Sequence, residues 1–202
     1  MGSEAKKNVT LAMTGASGAI FTSSMLRMLQ ADDRVAQVQF VVSDHAFRVV
    51  AEELGLSGRS GIVDALAGEN HGKVHLVRND DVGAGIASGS YPSDGMVVLP
   101  CSMGTLASIA NGLAARLIDR AADVCLKERR PLILCVRETP FNRIHLRNMT
   151  LAAEAGATIF PVIPAMYFRP GSIDEIVRQF CCRVLAHLDL PQQDAFQWKA
   201  AE

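Results

Sequence analysis

Val9-Thr10-Leu11-Ala12-Met13-Thr14-Gly15-Ala16-Ser17-Gly18-Ala19 carries the architecture of the chain in miniature. Val9–Thr14 is apolar without strict alternation, which predicts a strand covered on both faces. Thr14–Ala19 is a turn of small residues. Ala19–Leu29 then has a helical period, with Ile20, Ser24, Leu26 and Met28 set around its apolar side. The same unit recurs along the chain. Strands are expected at Val38–Val42, Val74–Val77, Met96–Leu99, Leu132–Val136 and Thr158–Phe160. Helices are expected at His45–Leu54, from Thr105, and at Leu117–Arg129, Ile144–Ala155 and Ile173–Leu188. Buried strands alternating with helices give an α/β fold, a doubly wound parallel sheet whose ligands lie at the carboxyl ends of the strands. Order is expected to be lowest in Met1–Lys7, in the Ser57–Gly72 connection and after Pro191.

The 202 residues suit a single domain, and 49% of them are hydrophobic. Lysine and arginine (20) balance aspartate and glutamate (21), so the clustered basic excess of a nucleic-acid binder is missing. Five cysteines, Cys101, Cys125, Cys135, Cys181 and Cys182, are an odd number without CxxC spacing. That pattern argues against a disulfide framework or a zinc knuckle and points to a reducing cytoplasm. Gly95–Ala115 is uncharged over a membrane-span length, but Pro100, Gly104, Thr105 and Asn111 break it into strand, loop and helix. No membrane association is expected. Such a small, apolar chain is also expected to bury surface against copies of itself.

The turn at Thr14–Ala19 is either a tight strand–helix connection or an anion cradle, where backbone N–H groups and the Ser17 hydroxyl meet a phosphate. It lacks the dinucleotide pattern G-x-G-x-x-G: only Gly15 and Gly18 are present. A third glycine of the short-chain reductase kind is replaced by Phe21, and Tyr91 and Tyr167 have Gly95 and Gly171, not lysine, four residues on. A mononucleotide phosphate fits better than NAD. Pro100-Cys101-Ser102-Met103-Gly104-Thr105 repeats the arrangement after another buried strand, and Ser43 closes the second strand with a further hydroxyl. Cys101 reads as a core thiol more readily than as a nucleophile.

Arg120 and Lys127 share one face of their helix, either paired with Asp119 or Asp123 or free to meet an anion. Arg137-Glu138 directly follows a buried strand, where charge is costly unless paired or used. Tyr167-Phe168-Arg169 follows the last strand in the same way, and Arg183 interrupts an apolar helix face. Together these positions suggest a pocket for more than one phosphate. Glu69, His71 and His75 mimic a metal cluster only loosely, because Gly72 breaks their spacing, and no metal site is expected.

Thr14–Ala19, Ala87–Ser90, Pro100–Thr105, Arg120–Leu132, Arg137–Pro140, His145–Met149 and Pro164–Pro170, in order along the chain, resemble the UbiX-type flavin prenyltransferases. The resemblance implies a flavodoxin-like three-layer sandwich in which residues 1–190 form one FMN-binding domain. Residues 191–202 form a tail that packs at a subunit interface of a dodecamer. It implies transfer of a dimethylallyl group from dimethylallyl phosphate to N5 and C6 of reduced FMN, without a metal. The prenylated FMN then serves a UbiD-type decarboxylase, in quinone biosynthesis or aromatic-acid breakdown.

By the same resemblance, Gly15, Ala16 and Ser17 correspond to the FMN phosphate turn. Ser43, Ser102, Met103, Gly104, Thr105 and Arg137 correspond to other FMN contacts. Tyr167 and Arg183 correspond to holders of the prenyl phosphate, Arg120 and Lys127 to further cationic contacts, and Trp198 to a tail aromatic lining the site. Ser17, Glu53, Lys127 and Glu138 make up the implied catalytic set, with Glu138 handling protons and Glu53 near the flavin. Two other readings share the fold or the flavin. An FMN-dependent cysteine-type decarboxylase would want Pro-x-Ser-Ala-Asn-Thr and Pro-x-Met-Asn, where this chain has Met103-Gly104 and Tyr167. A non-catalytic FMN carrier would not need Arg120, Lys127 and Arg183.

Overall fold

The computed structural model describes residues 5–56, 61–68 and 71–198. Strands β1 (Lys7–Met13), β2 (Val35–Val42), β3 (Val74–Arg78), β4 (Gly95–Cys101), β5 (Leu132–Val136) and β6 (Thr158–Ile159) form one sheet in the order β3-β2-β1-β4-β5-β6. Every pairing is parallel. This is the doubly wound order, which reverses direction between β1 and β4 and opens a crevice there.

Successive residues of these strands feed opposite faces. Leu11, Phe40, Val97 and Ile133 join a core under α1 (Ala19–Ala31), α2 (Asp44–Leu54), α3 (Ile62–Ala67) and α7 (Ile173–Ala186). Ala12, Val41, Val98 and Leu134 join a second core under α4 (Met103–Ala110), α5 (Leu117–Lys127) and α6 (Arg143–Glu154). β4 and β5 are buried along their whole length, which is why they read as unbroken apolar runs.

Two expectations change. The Ser57–Gly72 connection holds α3, whose Ile62, Val63, Leu66 and Ala67 are buried. Ser23 and Arg27 of α1 donate to the Leu66 carbonyl (2.8 and 3.2 Å), so this short helix is held by packing against α1 rather than by its own propensity. Residues 57–60 and 69–70 of that connection, and 1–4 of the amino terminus, lie outside the described residues. Lys7, placed in the poorly ordered start, instead opens β1.

Pro100 sits inside β4, where proline requires an irregularity, and the β4–β5 register shifts between Val98 and Cys101. The freed carbonyls are taken by two buried threonines. Thr22 donates to Leu99 O (2.7 Å), and Thr14 donates to Pro100 O through both its backbone N–H (3.2 Å) and its hydroxyl (2.8 Å).

Candidate functional site

Thr14 Oγ1 also accepts a hydrogen bond from Ser102 N (2.8 Å), so the ends of β1 and β4 are stapled together at the crevice. Two helices begin beside this staple. Ser43 caps α2 by accepting from Ala46 N (3.3 Å), and Ser102 caps α4 by accepting from Thr105 N (3.3 Å) while donating to Thr105 Oγ1 (3.1 Å). Gly15, Ser43, His45, Ser102, Gly104 and Thr105 line one cavity of about 310 Å³. Gly15 is required by crowding: a β-carbon there would lie 2.5 Å from His45 Cβ. Ala16 is buried and Ser17 half-buried beside it, and Met103 begins α4 packed partly into the second core.

The start of α1 is different. Its first N–H groups do not face open space: Gly18 N donates to both carboxylate oxygens of Glu53 (3.1 and 3.0 Å), and Ala19 N donates to Glu53 Oε2 (2.8 Å). The anion at this glycine turn is the protein's own. A phosphate therefore finds its free donors at the starts of α2 and α4, with the Gly15–Ser17 turn as the adjoining wall. The donor set there suits a phosphate monoester: four hydroxyls (Ser43, Ser102, Thr105 and Ser108) and two helix starts, of which α4 has no acidic residue in its first turn and α2 has Asp44.

Arg137 and Glu138 follow β5. Arg137 N donates to Cys101 O (3.2 Å), which holds this segment against the end of β4. The Arg137 guanidinium makes no hydrogen bond or ion pair among the described residues, and Glu138 Oε1 accepts only from Thr139 N (2.9 Å). Both side chains are half-buried.

A second cluster gathers after β6. Arg183 lies over the Phe160 ring (5.8 Å to its centroid) and lines a small apolar pocket with Pro164, Phe168, Phe180 and Phe196. The Trp198 ring meets Tyr167 edge-on at 5.1 Å, and both residues are largely exposed. The tail that carries Trp198 is tied to α7: Arg178 binds Asp194 (2.5 Å), and Gln179 bonds Asp194 O (2.9 Å) and Phe196 N (2.8 Å).

Arg120 and Lys127 form a third group. Arg120 pairs with Asp123 (2.5 Å) and donates to Ala87 O (3.0 Å). Lys127 pairs with its neighbour Glu128 (2.5 Å), not with Asp123. The loop they meet passes so close that a β-carbon at Gly89 would lie 2.6 Å from Lys127 Nζ. One chain thus presents the expected site residues as three groups, at the crevice, under the tail and on the outer face of α5.

The thiols stay inside. All five cysteines are buried and unbridged, and burial pushes Cys101 up to about 12, so it is no nucleophile near neutral pH. His71 pairs with Asp64, His75 is exposed on β3, and Glu69 lies outside the described residues. Asn79, Arg116 and Asp119 also line the crevice cavity, and sequence reasoning had not singled them out there.

The flavoprotein family model matches residues 2–182. The flavin prenyltransferase UbiX of Salmonella typhimurium is 45% identical over 197 residues, spanning 96% of this chain and all of that protein. The chain belongs to this family. The crystal structure of AnUbiX in complex with FMN and dimethylallyl pyrophosphate superposes with a TM-score of 0.87 at 40% identity, covering 98% of this chain and 100% of that one. A dodecameric FMN-dependent UbiX-like decarboxylase from Escherichia coli O157:H7 superposes at 0.85 with 38% identity, covering 95% and 99%. Among the described residues no helix is long and apolar enough to cross a membrane.

Proposed function

We propose that this chain is a flavin prenyltransferase that moves a dimethylallyl group from dimethylallyl phosphate to reduced FMN. The observation that carries the reading is the pairing of a phosphate cradle of hydroxyls and helix starts at the crevice with a separate cationic and aromatic cluster under the tail. One phosphate-bearing ligand does not need both. FMN, when bound, supplies nucleophilic N5 and C6 positions. Ser43, Ser102, Gly104 and Thr105 hold its phosphate, with Arg137 and the Gly15–Ser17 turn alongside.

The departing phosphate needs positive charge and donors, which Arg183 and Tyr167 provide, joined by Arg120 and Lys127. Allylic charge is favoured by an electron-rich, water-poor surface, and the Trp198 indole offers one. Glu138, with Ser17 as relay, would take the protons released in turn at N5 and C6, one being returned to the prenyl double bond as the C6 bond closes and the other leaving with the phosphate. Glu53, with both oxygens bound to the start of α1, fixes the turn that carries Ser17. No metal is assigned a role.

The third group, on α5, points to a site completed by another copy of the chain. Exposed Ile144, Leu146, Ile163 and Met166 supply apolar surface for such assembly, and the dodecameric relative supports it. We infer the same for the tail, whose aromatics stay exposed in the single chain. The product passes to a UbiD-type decarboxylase, and the unbridged cysteines suit a cytoplasmic setting.

The test is anaerobic incubation of the protein with reduced FMN and dimethylallyl phosphate, followed by mass spectrometry of the released flavin. A flavin heavier by one five-carbon unit is expected. Unmodified flavin overturns the reading.

A further inference from the structure

Arg116 immediately precedes α5, yet its side chain does not cap that helix. Asn79, just beyond β3, satisfies the helix start instead: its carbonyl accepts from Leu117 N (2.9 Å) and its Oδ1 from Ile118 N (3.0 Å). This pins the start of α5 to the carboxyl end of β3 and leaves the Arg116 side chain for other work. Arg116 lines the 310 Å³ crevice cavity with Ser43, Ser102 and Thr105. It also lines an adjoining cavity of about 520 Å³ with Val42, Phe47, Arg78 and the carboxylates Asp44 and Asp80.

Nearby Arg78 is engaged by Asp80 (2.9 and 2.6 Å), whereas the Arg116 guanidinium makes no hydrogen bond or salt bridge among the described residues and meets Asp80 and Asp119 only as neighbouring charges. Asp119 faces the same cavity; burial pushes its carboxyl up, and the Arg116 backbone N–H and then the Arg116 charge draw it back. A phosphate dianion in a cradle of hydroxyls and backbone donors would meet the Asp119 charge, and Arg116 is the one arginine or lysine among the residues that line this cavity.

We propose that Arg116 is the charged ligand of the phosphate in this cradle, and that it selects phosphorylated flavin over riboflavin. Asn79 is its positioning residue. The inference rests on the flavin-binding reading above and adds a residue to it.

The test titrates the flavin-stripped full chain with FMN and, separately, with riboflavin, following flavin fluorescence. Arg116→Gln is expected to weaken FMN about 10- to 100-fold, the size of a lost charge-assisted contact, and to leave riboflavin within twofold. Arg116→Lys recovers part of the loss. Arg48→Gln, which removes an exposed charge from α2, leaves both affinities unchanged. Equal losses for FMN and riboflavin, or no loss for FMN, overturn the proposal while wild-type prenylation leaves the enzyme reading standing. Wild-type protein that binds neither flavin overturns both.

Discussion

At the amino ends of the strands, Lys7 donates to Leu188 O (2.7 Å) and approaches Asp189 (3.4 Å). Asp32 there accepts three hydrogen bonds from Arg34 (2.6–3.0 Å) and one from Gln192 (3.1 Å). At the carboxyl ends, the guanidinium groups of Arg116, Arg137 and Arg183 form no salt bridge among the described residues, though Asp80 and Asp119 feel the Arg116 charge, and Glu138 meets only a backbone N–H. The two ends are built from the same residue types, so composition does not separate them. The difference is whether each charge is answered within the chain. Charges answered within the chain contribute to stability; those left open are available to a ligand or a neighbouring copy.

The sharpest way to break this contrast is Glu138→Gln. Prenyl transfer is expected to slow by about 100-fold or more, the range for a lost acid–base group, with FMN affinity and melting temperature nearly unchanged. Single-turnover assays with mass readout check it, and unchanged turnover removes Glu138 from the chemistry.

Asp32→Asn probes the other end. Hydrogen bonding from Arg34 holds the Asp32 carboxyl down at about 2, against 3.8 ordinarily. A depressed native value contributes stability above the unfolded value, and that stability is lost as pH falls from about 4 to 2. The substitution is therefore expected to cost about 2 kcal/mol at pH 7 and little at pH 2, without altering flavin affinity. Urea unfolding at the two pH values reads the difference. A stability loss that persists undiminished at pH 2 contradicts the assignment.

The smallest effect on stability is expected at the tail. Asp194→Asn breaks a half-exposed pair with Arg178, worth less than about 1 kcal/mol. Trp198 is the single tryptophan, so release of the tail, with loss of its contact to Tyr167, appears directly as a change in its emission. Prenyl transfer is expected to fall several-fold; an unchanged spectrum shows that the aromatic contacts alone hold the tail.

The sheet was legible because its central strands are buried on both faces, and burial on both faces writes itself as unbroken apolar sequence. Leu132–Val136 has the same limits in the sequence reading and the structure. β4 ran two residues further than expected, through Pro100 to Cys101, because the bulge and two threonines replace the ladder bonds that proline disrupts. α3 was missed for the opposite reason: six residues between Gly61 and Gly68 carry too little periodicity, and their order comes from contacts with α1.

At the site, the serine caps were legible because a hydroxyl after a buried strand is a local signal. Arg116 was not. It follows an irregular stretch, and its place in the crevice is set by Asn79, 37 positions earlier, through hydrogen bonds that leave no local pattern. The separation of Arg120 and Lys127 from the crevice was hidden as well. Helical spacing shows that two residues share a face, not what that face meets.

Glu53 bears on what happens between catalytic cycles. On the proposed reaction the flavin is consumed and leaves with its new ring, so the crevice empties at every turnover. A turn that relied on the ligand's phosphate to satisfy Gly18 and Ala19 would lose its hydrogen-bond partner each time. With a carboxylate from α2 already in place, the beginning of α1 keeps its shape while the ligands come and go. The vacated enzyme is thus ready for the next flavin without refolding its first turn.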